Sequence, residues 1–171
     1  NHYAGTIFLS LIQKKKYKKG LSAFKSNDFD LAEILFQQIV NKHPEAKRRI
    51  DEITLKRGEN EEVKGNLDEA VRFYSMLKGS YPEIEKRLIL LDYKRGQEEQ
   101  NNGNLDLAYD YFSKIADKDK NAFFEASKID FRRGVASEIS NNYALAKSFY
   151  QRSSNFKDNP KIHFGSICRK L

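Results

Sequence analysis

Apolar residues along this chain recur at intervals of three and four, the spacing that lines one face of a helix. Over residues 45–64 the pattern runs Ala46, Ile50 and Ile53, at i, i+4 and i+7. Gly65-Asn66 then supplies a helix stop followed by a new start. A second helix follows with Ala70, Phe73, Tyr74 and Leu77 on one face, and it ends before Pro82. No stretch shows the alternation of a half-buried strand. The chain therefore predicts an all-α fold built from pairs of helices.

The pair repeats. Gly20, Gly58, Gly96 and Gly134 stand 38 residues apart, each preceded by two cations. Twelve residues after each comes Ala32, Ala70, Ala108 or Ala146, and four further on Phe36, Tyr74, Phe112 or Tyr150. Between these landmarks lies a turn signal, Asn27-Asp28, Gly65-Asn66, Gly103-Asn104 and Asn141-Asn142. Four matches in phase across several columns mark four copies of one supersecondary unit, at 7–44, 45–82, 83–120 and 121–158. Small residues at constant positions let the two helices of a hairpin approach closely, and the aromatic is expected to fill the space between neighbouring hairpins. Residues 1–6 are a lead-in. In 159–171, Phe164 and Ile167 fall where Ile50 and Ile53 fall in the second unit. That segment is expected to be a capping helix or the start of a fifth repeat.

These columns resemble the tetratricopeptide repeat family. Gly58, Gly65, Leu67, Ala70, Tyr74, Leu77 and Pro82 fit its spacing, as do Gly20, Phe29, Ala32, Phe36, Ile39 and Pro44. The third and fourth units lack the closing Pro. The resemblance implies an α-solenoid of about four hairpins, with first helices lining a concave groove that binds a protein segment. The period of 38 exceeds the family's usual 34 and places one extra helical turn before each Gly. Where the family usually has Leu before that Gly, this chain has Lys19, Arg57, Arg95 and Arg133. Longer repeats of this kind are similar to those of bacterial cell-envelope members. The bias toward Lys, Asn, Ile and Phe suits a bacterial chain.

Composition narrows the chemistry. A single cysteine, Cys168, excludes an intrachain disulfide framework and a cysteine-rich metal site. His2, His43 and His163 share no ligand spacing. No phosphate loop, zinc-protease motif or nucleophile elbow is present. The expectation is a protein that is not an enzyme, with no catalytic residue, no cofactor and no metal. The longest apolar stretch, residues 6–12, falls well short of the roughly 20 a spanning helix needs. The chain begins at Asn1 without Met, so an upstream signal or anchor could have been removed. Compartment stays open between the cytoplasm and a bacterial periplasm or cell envelope.

The net charge of +7 is uneven: +4 in the first unit, 0 and −2 in the next two, +2 in the fourth and +3 in the tail. A nucleic-acid surface would be basic along its length, so the pattern disfavours nucleic acid. Contact with a membrane is expected only if an anchor lies outside this chain. The recurring cations Lys18, Lys56, Lys94 and Arg132 occupy positions that the family resemblance turns toward the groove, with Tyr17, Tyr93 and Phe131 beside them. They are the candidate partner-binding residues, suited to an acidic or carboxylate-bearing segment. The competing interpretation has the cations paired with local acids, such as Arg57 with Glu61, and the rings in the hairpin cores. The family's clamp for a terminal carboxylate would need Lys, Asn, Asn, Lys and Arg where this chain has Tyr17, Leu21, Lys56, Leu90 and Lys94. Only Lys94 keeps the charge. The expected role is an adaptor or scaffold binding another protein. The alternatives are a self-associating homo-oligomeric subunit of an envelope or other complex, and the regulatory part of a larger enzyme.

Overall fold

In a computed structural model, residues 2–154 are described as backbone and residues 11–153 with their side chains. The capping helix expected at 159–171 lies outside the described residues. Those described form eight helices and no strand: α1 (His2–Lys25), α2 (Phe29–Gln37), α3 (Pro44–Val63), α4 (Leu67–Met76), α5 (Pro82–Asn101), α6 (Leu105–Ile115), α7 (Lys120–Ile139) and α8 (Tyr143–Ser154). The expected lead-in 1–6 is part of α1 from His2 onward. First helices α3, α5 and α7 have 20 residues each, about 30 Å. Second helices are shorter, at 9 to 12 residues.

The chain divides into two units, Asn1–Glu85 and Lys86–Leu171. In the first, α1 pairs with α2 and α3 with α4, and α2 packs on α3. Its core joins Ala23, Ala32, Phe36 and Ile39 to Ala46 and Ile53 of the next hairpin. In the second, α7 pairs with α8 and packs on α6. There Ala108, Phe112 and Ile115 meet Ala122, Ala126 and Ile129.

The turn inside each hairpin is the same device four times. Asn27, Gly65, Gly103 and Asn141 adopt positive φ, between 60° and 83°. The next amide reaches back five residues: Asp28 to the Ala23 carbonyl at 2.9 Å, Asn66 to Glu61 at 2.9 Å, Asn104 to Glu99 at 2.8 Å and Asn142 to Ser137 at 2.8 Å. This closes the first helix in a Schellman motif, which Gly and Asn tolerate because they enter the left-handed region at low cost. The same next residue opens the second helix. Asp28 and Asn142 accept from the amides of Leu31 and Leu145. Asn66 and Asn104 instead donate to the carboxylates of Glu61 and Glu99, both at 2.7 Å. Pro44 and Pro82 do not close the second helices. They are the first residues of α3 and α5, where a missing N–H is harmless and a fixed φ is already helical.

Each first-helix glycine is covered by the aromatic sixteen residues later. A Cβ at Gly20, Gly58, Gly96 or Gly134 would lie 2.6–2.7 Å from the ring of Phe36, Tyr74, Phe112 or Tyr150. Where that ring is Tyr, its hydroxyl donates to a glutamate: Tyr74 to Glu62 and Tyr150 to Glu138, each at 3.1 Å. Where it is Phe, the matching position holds Phe24 or Gln100 rather than an acid. A buried hydroxyl needs a partner, so the two columns change together.

Burial, reinforced by the Glu138 hydrogen bond and charge, pushes the Tyr150 hydroxyl up to about 12. The folded state thus keeps a proton that the unfolded chain releases near pH 10. Stability is unaffected below that pH and falls as pH rises from about 10 to about 12. Tyr150→Phe should lose about 1 kcal/mol of stability at pH 8, the worth of one hydrogen bond. By pH 11 the gap to the parent should close, because the variant escapes a penalty of roughly 1.4 kcal/mol. Urea unfolding at both pH values checks this, and a gap that does not change with pH would refute it.

Candidate binding face of the first helices

Two consecutive helical residues point about 100° apart, so the cations before each Gly must go different ways. Where the second of the pair is arginine, it reaches other residues of its own unit, while Lys19 is exposed. Arg57 spans from α3 back to α2, meeting Glu33 at 2.6 Å and Asp30 at 2.5 Å. Burial works against its charge, but the two carboxylates outweigh it and hold the guanidinium above its ordinary value. Arg133 reaches Asp106 on α6 in the same register and lies over the Tyr109 ring at 4.5 Å. Arg95 pairs with Asp92 at 3.1 Å and donates to the Tyr111 hydroxyl at 2.9 Å. Arg57 therefore does not pair with Glu61, which binds Lys64 and Asn66. These arginines link helices within a unit.

The first cation of each pair stays near the surface. Lys18, Lys56 and Arg132 are exposed and Lys94 is half-buried. Lys56 has only an i, i+3 partner, Glu59, at 3.0 Å. Such an exposed pair contributes a few tenths of a kcal/mol and yields readily to a competing carboxylate. Lys18 and Lys56 belong to the first unit, Lys94 and Arg132 to the second.

The three rings sit deeper. Tyr17, Tyr93 and Phe131 are half-buried and pack edgewise on the covering aromatics Phe36, Phe112 and Tyr150, with centroids 5.4–5.6 Å apart. Tyr17 also stacks on His43 at 4.2 Å and accepts from Arg49 at 3.4 Å. Burial raises the Tyr93 hydroxyl, with the charges of Glu125 and Asp119 adding to it. The rings thus serve the hairpin cores first.

The sequence pattern left two features unremarked. On α7, Phe124, Lys128, Phe131 and Val135 fall at i, i+4, i+7 and i+11, and Phe124 and Val135 remain exposed. Lys128 lies over the Phe124 ring at 4.2 Å. The helical spacing was the available signal. The other feature is a pair of buried carboxylates. Asp92 and Asp130 are 3% exposed and 38 residues apart. Lys114 meets Asp92 at 2.6 Å, and Arg152 grips Asp130 through two bonds at 2.9 and 3.1 Å. These pairs tie first helix to second and belong to the fold.

A family model described as the tetratricopeptide repeat matches residues 16–46, the first hairpin with its turn into α3. Comparison with curated proteins gives no match. Repeats of that family generally mediate protein–protein interactions and are typically non-catalytic.

Proposed function

We propose that this member of the tetratricopeptide repeat family is a scaffold that captures acidic segments of a partner protein, on the first-helix surface marked by Lys18 and Lys56 in one unit and, separately, on that marked by Lys94 and Arg132 in the other. One observation carries the proposal. The constant glycines, alanines, aromatics and turn residues are all consumed by the hairpins, and Arg57 and Arg133 by ties between hairpins. Of the first cations, Lys18 and Arg132 are exposed and Lys56 is held only by its exposed neighbour Glu59 among the described residues. Exposed cations such as these suit a partner segment that carries carboxylates. The exposed apolar groups Leu90, Phe124 and Val135 on α5 and α7 offer it a place for an aliphatic or aromatic side chain.

Lys56→Glu combined with Lys94→Glu tests this. Neither residue is in a core, so helicity and melting temperature should stay near those of the parent. Capture of the partner from native lysate should fall by tenfold or more, since each reversal replaces an attraction with a repulsion. Undiminished capture by a folded double variant would overturn the proposal.

A further inference from the structure

We infer that the exposed face of α1 docks on a membrane surface bearing anionic lipid headgroups. The helix carries Lys14, Lys15, Lys16, Lys18, Lys19 and Lys25, and the first acid of the chain is Asp28. Lys14, Lys15, Lys18 and Lys19 are exposed. Among the described residues none of these four has an acid partner. The contrast with α3 is complete: all five of its cations are paired, Lys47 to Asp51, Arg48 and Arg49 to Glu52, Lys56 to Glu59 and Arg57 to Asp30 and Glu33.

Register shows what this face replaces. Ile53 and Ile129 are fully buried, against α2 and α6 of the preceding hairpins. The matching residue of α1 is Lys15, which is exposed. A polar residue there would suffice to keep an end face in water. Mixed charges would serve that purpose without self-repulsion. A cluster of one sign requires a further reason, and an anionic surface supplies it.

Two features select lipid over nucleic acid. The exposed Leu11 and Ile12 share the lysine arc, through the spacings Leu11, Lys15, Lys18 and Ile12, Lys15, Lys19. Aliphatic groups gain nothing on a phosphate backbone but enter the acyl boundary of a bilayer while lysines reach the headgroups. The cations are also all lysine, which acts as a point charge rather than as the arginine fork that reads phosphates in fixed geometry. No helix among the described residues is long and apolar enough to cross a membrane. The contact inferred for α1 is one along the membrane surface.

Sedimentation of the full chain with phosphatidylcholine vesicles, with or without about 30% phosphatidylserine, tests the inference. At about 0.1 M salt, bound protein should rise at least tenfold with the anionic lipid, and fall sharply at about 0.5 M as screening shortens. The triple variant Lys14→Glu, Lys15→Glu, Lys19→Glu should lose that gain while keeping the parent's melting temperature. The milder set Lys14→Gln, Lys15→Gln, Lys19→Gln should weaken it. A charge-matched control, Lys42→Glu, Lys78→Glu, Lys120→Glu, should retain it. Lys18 is untouched, so partner capture should persist in every variant. Equal sedimentation with both vesicles, equal loss in the control, or binding to a duplex oligonucleotide but not to vesicles would overturn the inference.

Discussion

Gly58→Ala should destabilise the protein by about 3 kcal/mol, the upper end for overpacking a tight core. The added Cβ would lie 2.6 Å from Tyr74 Cε1 and 2.9 Å from Cδ1. Tyr74 cannot step aside easily, because it is fully buried and its hydroxyl is held by Glu62 at 3.1 Å. Helix propensity alone would favour Ala by about 1 kcal/mol, so a loss of stability must come from the ring contact. Gly65→Ala provides the contrast. Nothing lies within 4 Å of a Cβ there, and only the φ of +80° resists. Its cost should be about 1 kcal/mol. Tyr74→Leu in the Gly58→Ala background should make the double variant more stable than the sum of the single losses. Chemical denaturation of the four chains measures that coupling. A Gly58→Ala protein as stable as the parent would show that the hairpin does not close on this glycine.

Much of this was legible before any coordinates. The 38-residue period marked the Gly and aromatic columns, but the aromatic was expected between neighbouring hairpins, whereas its ring lies on the Gly of its own hairpin; a constant separation in sequence does not say which way a ring turns. The turns were legible, since Asn or Gly recurs where the chain needs positive φ. The prolines were misplaced by one element, as a residue that cannot continue one helix can equally begin the next. The partners of the cations were not legible. An i, i+4 neighbour such as Glu61 is visible in the sequence, whereas Asp30 and Glu33 reach Arg57 only after α2 has packed on α3. The candidate site was legible only as a column of cations, because recurrence marks a position without saying which way it points. The buried carboxylates escaped notice because Asp92 and Asp130 recur in only two of four units. The matching positions of the first two hold Lys16 and Thr54.

That difference between repeats sets up the second large effect. Arg152→Met should destabilise the second unit by roughly 2–4 kcal/mol. Asp130 would keep its burial and its hydrogen bond with the Tyr109 hydroxyl but lose the two bonds from Arg152. Arg133, at 3.6 Å and already engaged with Asp106, is a poor substitute. A buried carboxylate that has lost its main cation is expensive, whereas an uncharged pair in its place is often neutral. The second repeat shows an uncharged solution in this same chain. At the matching positions it has Thr54, whose hydroxyl donates to the Ile50 carbonyl at 3.1 Å, and Met76. Asp130→Thr with Arg152→Met should therefore recover most of the loss, to within about 1 kcal/mol of the parent. Urea unfolding of the parent, the single and the double variant at pH 7 separates the cases. If the double variant is no better than Arg152→Met, the ion pair supplies more than charge compensation, and the repeats are not interchangeable at this layer.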